Sequence, residues 1–152
     1  MLQLSHTNET WGPKLLFHNP RVCPHIHSPI LYENRIYLTS FRDQGAGHTG
    51  LVCMDMEGEP VWETGQALEF DSGSFLVAAR MAFVMHGKTG ELCLLDLSQS
   101  APEVLAKAKV LDAKGGNVWA PMGLSDGKLL VRDQHQLKCF DVRAEPQGQM
   151  QR

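Results

Sequence analysis

The sequence predicts an all-β fold, a β-propeller fragment of about three four-stranded antiparallel blades, and three observations predict it. First, one pattern occurs three times: an apolar run, a turn, a second apolar run, another turn, then a run ending in Asp. Second, the Asp-ending runs begin at Leu51, Leu92 and Leu137, a period of 41 and then 45 residues. Periods of about 40 to 50 residues that hold several strands belong to propeller blades rather than to helical repeats. Third, the apolar runs are short, rich in β-branched or aromatic residues and punctuated by turn residues, and no long segment keeps a clean helical period.

In chain order, residues 1–24 form an N-terminal segment. Within it Lys14-Leu15-Leu16-Phe17 reads as the outer strand of a preceding blade, or as the strand that completes the third one. Blade A spans 25–65, with runs at Ser28–Ser40 and Gly50–Trp62 and an outer strand at Pro60–Thr64. Its Glu33-Asn34 pair is hairpin chemistry, because Asn tolerates positive φ. Blade B spans 66–111, with Ser74–Leu97 as its repeat and Lys88-Thr89-Gly90 as a turn. The Ala and Lys of Pro102–Leu111 favour helix, but the place of this stretch after an Asp-ending run predicts the outer strand, at Val104–Val110. Blade C spans 112–143, with Ser125-Asp126-Gly127 as a turn; it is incomplete, because residues 144–152 are a polar tail without an outer strand. Both termini read as cuts through a larger ring, which leaves open blade edges as association surfaces.

Composition narrows the function classes. Hydrophobic residues make up 43% and charged residues 20%, a globular composition, and the net charge is -3 with signs interspersed. There is no basic stripe to neutralise phosphates, so nucleic acid is not an expected partner. No stretch approaches the roughly 18 to 20 apolar residues of a membrane span. The segment from Met1 to Trp11 has neither a basic start nor an apolar centre, so no signal peptide is expected in it. Of the four cysteines, Cys53, Cys93 and Cys139 sit in apolar runs and read as core thiols, and no two cysteines have metal-site spacing.

At this point the sequence resembles the PQQ-like β-propeller family. The resemblance rests on Ser28-Pro29-Ile30-Leu31, Arg35-Ile36-Tyr37, Gly50-Leu51-Val52-Cys53-Met54-Asp55 and Gly58-Glu59-Pro60-Val61-Trp62, in that order. Trp119-Ala120-Pro121 with Asp126-Gly127-Lys128-Leu129 resembles the start of a further blade. The family includes quinoprotein dehydrogenases and the propeller lipoprotein of the outer-membrane β-barrel assembly machine. The segment after Asp55 is one residue shorter than the family's and lacks the Thr before Gly58, and the second and third copies lack the closing Trp. The resemblance implies that Trp62 docks neighbouring blades and that the protein is periplasmic or exported. Asp55, Asp96 and Asp141 read as turn acceptors for backbone N–H groups.

Chemistry-bearing residues are sparse. His25 and His27 are two apart and would share one face of a strand, with His18 or His48 as the third ligand of a metal. Solvated or hydrogen-bonded histidines are the simpler expectation. The Phe41–Thr49 loop, with Arg42 and His48, is longer than its counterparts, and long blade-end loops carry binding determinants. His25, His27, Arg42, His48 and Trp119 are therefore the candidate ligand-binding residues, and no catalytic, cofactor or metal residue is assigned. The expected function is a non-catalytic module for binding or scaffolding a protein or carbohydrate partner. One alternative is part of a PQQ-dependent alcohol or sugar dehydrogenase, needing PQQ with calcium; but Asp43, Asp71, Asp112 and Asp133 are scattered, and the vicinal disulfide common in those enzymes has no Cys-Cys here. A second alternative is a protomer that closes a ring as a homodimer.

Overall fold

A computed structural model of the chain describes residues 1–7, 10–24, 26–41 and 48–144. It is all-β, with one single-turn 3-10 helix at Gly65–Leu68. An N-terminal hairpin pairs β1 (Leu2–Thr7) with β2 (Thr10–Leu15). Sheet I is a four-stranded antiparallel meander of β3 (Ile30–Tyr32), β4 (Arg35–Phe41), β5 (His48–Met54) and β6 (Pro60–Glu63). Sheet II repeats it with β7 (Phe75–Ala78), β8 (Met81–Met85), β9 (Glu91–Asp96) and β10 (Glu103–Lys109). Sheet III has three strands among the described residues, β11 (Gly123–Ser125), β12 (Lys128–Arg132) and β13 (Leu137–Asp141). Lys14 and Leu15 lie in β2, whose partner is β1 rather than a strand of any larger sheet. The Ala- and Lys-rich stretch is strand β10, held by its ladder with β9.

The first turn of each sheet has the same backbone and different side chains. Glu33-Asn34, Ala79-Arg80 and Asp126-Gly127 all place two successive residues at positive φ, the twist that matches a two-residue hairpin to its strands. The Asp closing each third strand ties down the turn that follows. Asp55 Oδ1 accepts from the N–H of Glu57 and Glu59 at 3.0 and 2.8 Å, Asp96 Oδ1 from Ser98 N–H at 2.7 Å, and Asp141 Oδ1 from Arg143 N–H at 3.2 Å.

Alternation along the strands gives each sheet two apolar faces, and the sheets stack through them. One face of sheet I (Tyr37, Leu51, Cys53) and the facing side of sheet II (Phe75, Ala82, Val84, Cys93, Leu95) form one core, with Trp62 packed against it. The other face of sheet II (Phe83, Met85, with Leu92 and Leu94) meets Leu129 and Val131 of sheet III in a second core. The outer face of sheet I (Ile36, Leu38, Val52, Met54) is covered by Phe17 and Val22 of the N-terminal segment and by Met56. Asn19 Nδ2 donates to Gly58 O at 2.8 Å, and the Phe17 ring lies where a Gly58 side chain would begin, which fastens that cover in place.

Candidate functional site

Antiparallel meanders fix which loops share an end. The approach to each first strand and the connection between the second and third strands lie together, at what is here called the loop end; the two-residue hairpins lie at the opposite, turn end. At the loop end, backbone bonds join the approach to sheet II, the β8–β9 connection and the approach to sheet III. Gly87 N–H donates to Phe70 O at 2.8 Å and Val118 N–H to Gly87 O at 2.6 Å. Gly87 is required there: a Cβ would sit 2.1 Å from Asp71 O and 2.9 Å from Trp119 Nε1.

Two of the candidate residues meet this end. His27 stands beside the Ser72 backbone, and its Nε2 is buried with no hydrogen-bond partner among the described residues. Burial lowers its pKa, and the contact with Ser72 works in the opposite direction. The Trp119 indole lies against Gly87. Asp71 is buried at this end and pairs with Lys88 at 3.1 Å, while Ser74 Oγ is buried without a partner among the described residues. His48 opens β5. His25 and Arg42 lie outside the described residues, as does most of the Phe41–Thr49 loop, so the pairing of His25 with His27 does too. Among the described residues, no three His, Cys, Asp or Glu side chains group to hold a metal ion. Asp133 is occupied in its own turn, where the N–H of His135 and groups of Gln136 bond its carboxylate and lower its pKa.

The sequence predicts open blade edges as association surfaces but does not single out the residues on the outward face of sheet III. The runs Leu51-Val52-Cys53-Met54-Asp55, Leu92-Cys93-Leu94-Leu95-Asp96 and Leu137-Lys138-Cys139-Phe140-Asp141 are equivalent in the repeat. Their first and third residues point to the same face of each sheet. Leu51 and Cys53 are buried between sheets I and II, and Leu92 and Leu94 pack between sheets II and III. Leu137 and Cys139 are exposed, beside exposed Leu130. Cys139, expected as a core thiol, is therefore a surface one, because none of the described residues covers that face; Cys53 and Cys93 are buried, and burial raises both thiol pKa values. The described residues hold no helix long and apolar enough to cross a membrane.

No protein-family model matches the sequence, and no curated protein is similar to it at a significant level.

Proposed function

We propose that the three sheets are successive blades of a propeller-type array and that the chain is a non-catalytic scaffolding module that works by sheet-to-sheet docking. Its working surface is the outward face of sheet III, and the partner is a second copy of the chain. The observation that carries this reading is the equivalence of Leu137 and Cys139 with Leu51 and Cys53. At the same repeat positions, Leu51 and Cys53 are buried against the next sheet, and Leu92 and Leu94 are partly buried against it. The docking partner follows from continuity. Sheet II stacks on sheet I, and sheet III on sheet II, each through opposite faces, so the next sheet must offer the face that sheet I turns outward. In a second copy that face carries Ile36, Leu38, Val52 and Met54 beneath the cover of Phe17, Val22 and Met56, with a cavity of about 440 Å³ lined by Ile36, Leu38, Met54, Phe17, Val22 and Pro24. Such head-to-tail docking closes into a ring of two copies or continues as a chain, depending on its rotation.

Solution mass by light scattering across a concentration series tests the reading. A dimer or longer assembly is expected, and Leu137→Asp is expected to leave a folded monomer. A wild-type chain that stays monomeric at all concentrations would overturn the proposal.

A further inference from the structure

The turn end holds a second feature, independent of sheet docking. Between sheets I and II lies a cleft of about 310 Å³, lined by Glu33, Arg35, Tyr37, Trp62, Arg80 and the Leu97–Ser100 turn, with Cys53 on its floor and Val61 at its edge. That volume is at the small end of ligand pockets, roughly 300 to 1,000 Å³, and takes a molecule of monosaccharide size. The walls are cross-linked by hydrogen bonds. Arg80 Nε donates to Glu33 Oε1 and Oε2 at 3.3 and 3.0 Å, Arg80 N–H donates to Tyr32 Oη at 3.2 Å, and Leu97 N–H donates to Arg80 O at 2.8 Å. These bonds tie the first turns of the two sheets to each other and to the Leu97–Ser100 turn. The Tyr37 and Trp62 rings are 6.0 Å apart and tilted by 55°.

The two guanidinium groups of the cleft differ. Arg80 is engaged by Glu33, whereas Arg35 has no ion-pair partner among the described residues. The charge of Arg35 reaches the cleft floor: burial, then the Cys53 thiol, push the Tyr37 hydroxyl up to about 12, and burial raises Cys53, while Arg35 acts against both shifts. Of the charged side chains lining the cleft, Arg35 and Arg80 outnumber Glu33. Asp55 and Asp96 lie near this end, each with a carboxylate oxygen bonded to backbone N–H groups of its own turn.

We propose that this cleft is a binding site for a small sugar acid, a hexuronate, with its carboxylate on Arg35, its apolar ring face against Trp62 and its hydroxyls on the Glu33–Arg80 pair and the Ser98–Ser100 edge. A guanidinium recognises a carboxylate with paired, charge-assisted hydrogen bonds. An aromatic ring supplies the flat apolar surface that a pyranose face needs. Neutral sugars lack the first of these and bind less well.

The test uses the three tryptophans, Trp11, Trp62 and Trp119. Their indole N–H resonances are followed by NMR while the full chain is titrated with sodium glucuronate, and separately with glucose. Trp11→Phe and Trp119→Phe, both at exposed positions, assign the Trp62 resonance by elimination without touching the cleft. Glucuronate is expected to move the Trp62 resonance saturably, and Arg35→Gln to weaken that binding at least about tenfold, since a charge-assisted pair is lost. A Trp62 resonance that does not respond to glucuronate, responds equally to glucose, or keeps its affinity in Arg35→Gln would overturn the proposal.

Discussion

Leu51 and Leu137 open equivalent strands, β5's inner run and β13, and point to the same face of their sheets. One is 0% exposed between sheets I and II; the other is 67% exposed on sheet III. A residue's place in a repeat therefore sets which way it points, while the presence of a neighbouring sheet sets whether it is buried. The apolar side chain present at both places is the feature on which the proposed docking through the outward face of sheet III rests. The rim of that face is polar, with the Lys128–Asp141 pair and Arg132 flanking Leu130 and Leu137, the arrangement of an apolar centre within a charged border.

Replacing each of these two leucines gives the largest expected contrast. Leu51→Ala removes a fully buried side chain and is expected to cost about 2 to 5 kcal/mol in urea unfolding. Leu137→Ala is expected to change the stability of the dilute chain by less than about 0.5 kcal/mol. Equal costs at the two positions would break the comparison. Leu137→Asp sharpens it: association is expected to be lost while the urea midpoint of the dilute chain is retained.

A smaller effect comes from the loop end. Burial lowers the His27 pKa, so the fold favours the neutral imidazole. The unfolded chain takes up the proton first, near its ordinary value of about 6.5. The stability linked to His27 is thus complete above that pH and is lost as pH falls below it. His27→Gln is expected to flatten this part of the pH dependence, measured as urea midpoints between neutral and mildly acid pH. A curve of unchanged slope would mean that His27 is not buried in solution.

The smallest effect is in the hairpin turns. Ala79 and Arg80 have the same left-handed backbone as Asp126-Gly127 without its chemistry, at φ values of 50° and 59°. Holding a non-glycine residue there costs roughly 1 to 2 kcal/mol, so Ala79→Gly is expected to raise stability by up to about 1 kcal/mol once the added freedom of the unfolded chain is subtracted. A thermal unfolding comparison with the parent checks it.

These contrasts also mark how far the sequence could be read. The Asp-ending runs and the outer strand at β6 were legible from local signals, strand alternation and Asp-capped turns, whereas β10 was legible only from its place in the repeat, since its Ala and Lys favour helix. The Ala79-Arg80 turn was not legible, since neither residue carries a turn signature and the sheet around it imposes the conformation. The hairpin β1–β2 was also missed. Its cross-strand pairs Leu2–Leu15, Leu4–Pro13 and His6–Trp11 put one apolar face together, but the interruptions by Gln3, Ser5 and Gly12 made the segment look merely polar. His27 and Trp119 were singled out by residue type, whereas their shared end follows from the meander topology. The cleft was invisible, because Arg35, Trp62 and Arg80 come together only when two sheets stack.

The measurement that tests the central claim most directly is the alkylation rate of Cys139 as protein concentration rises, with Leu137→Asp as the reference. The thiol stands on the face proposed to dock. Its modification is expected to slow with concentration in the parent chain and to stay constant in the variant. A Cys139 that reacts at one rate at every concentration in both proteins would contradict docking through sheet III.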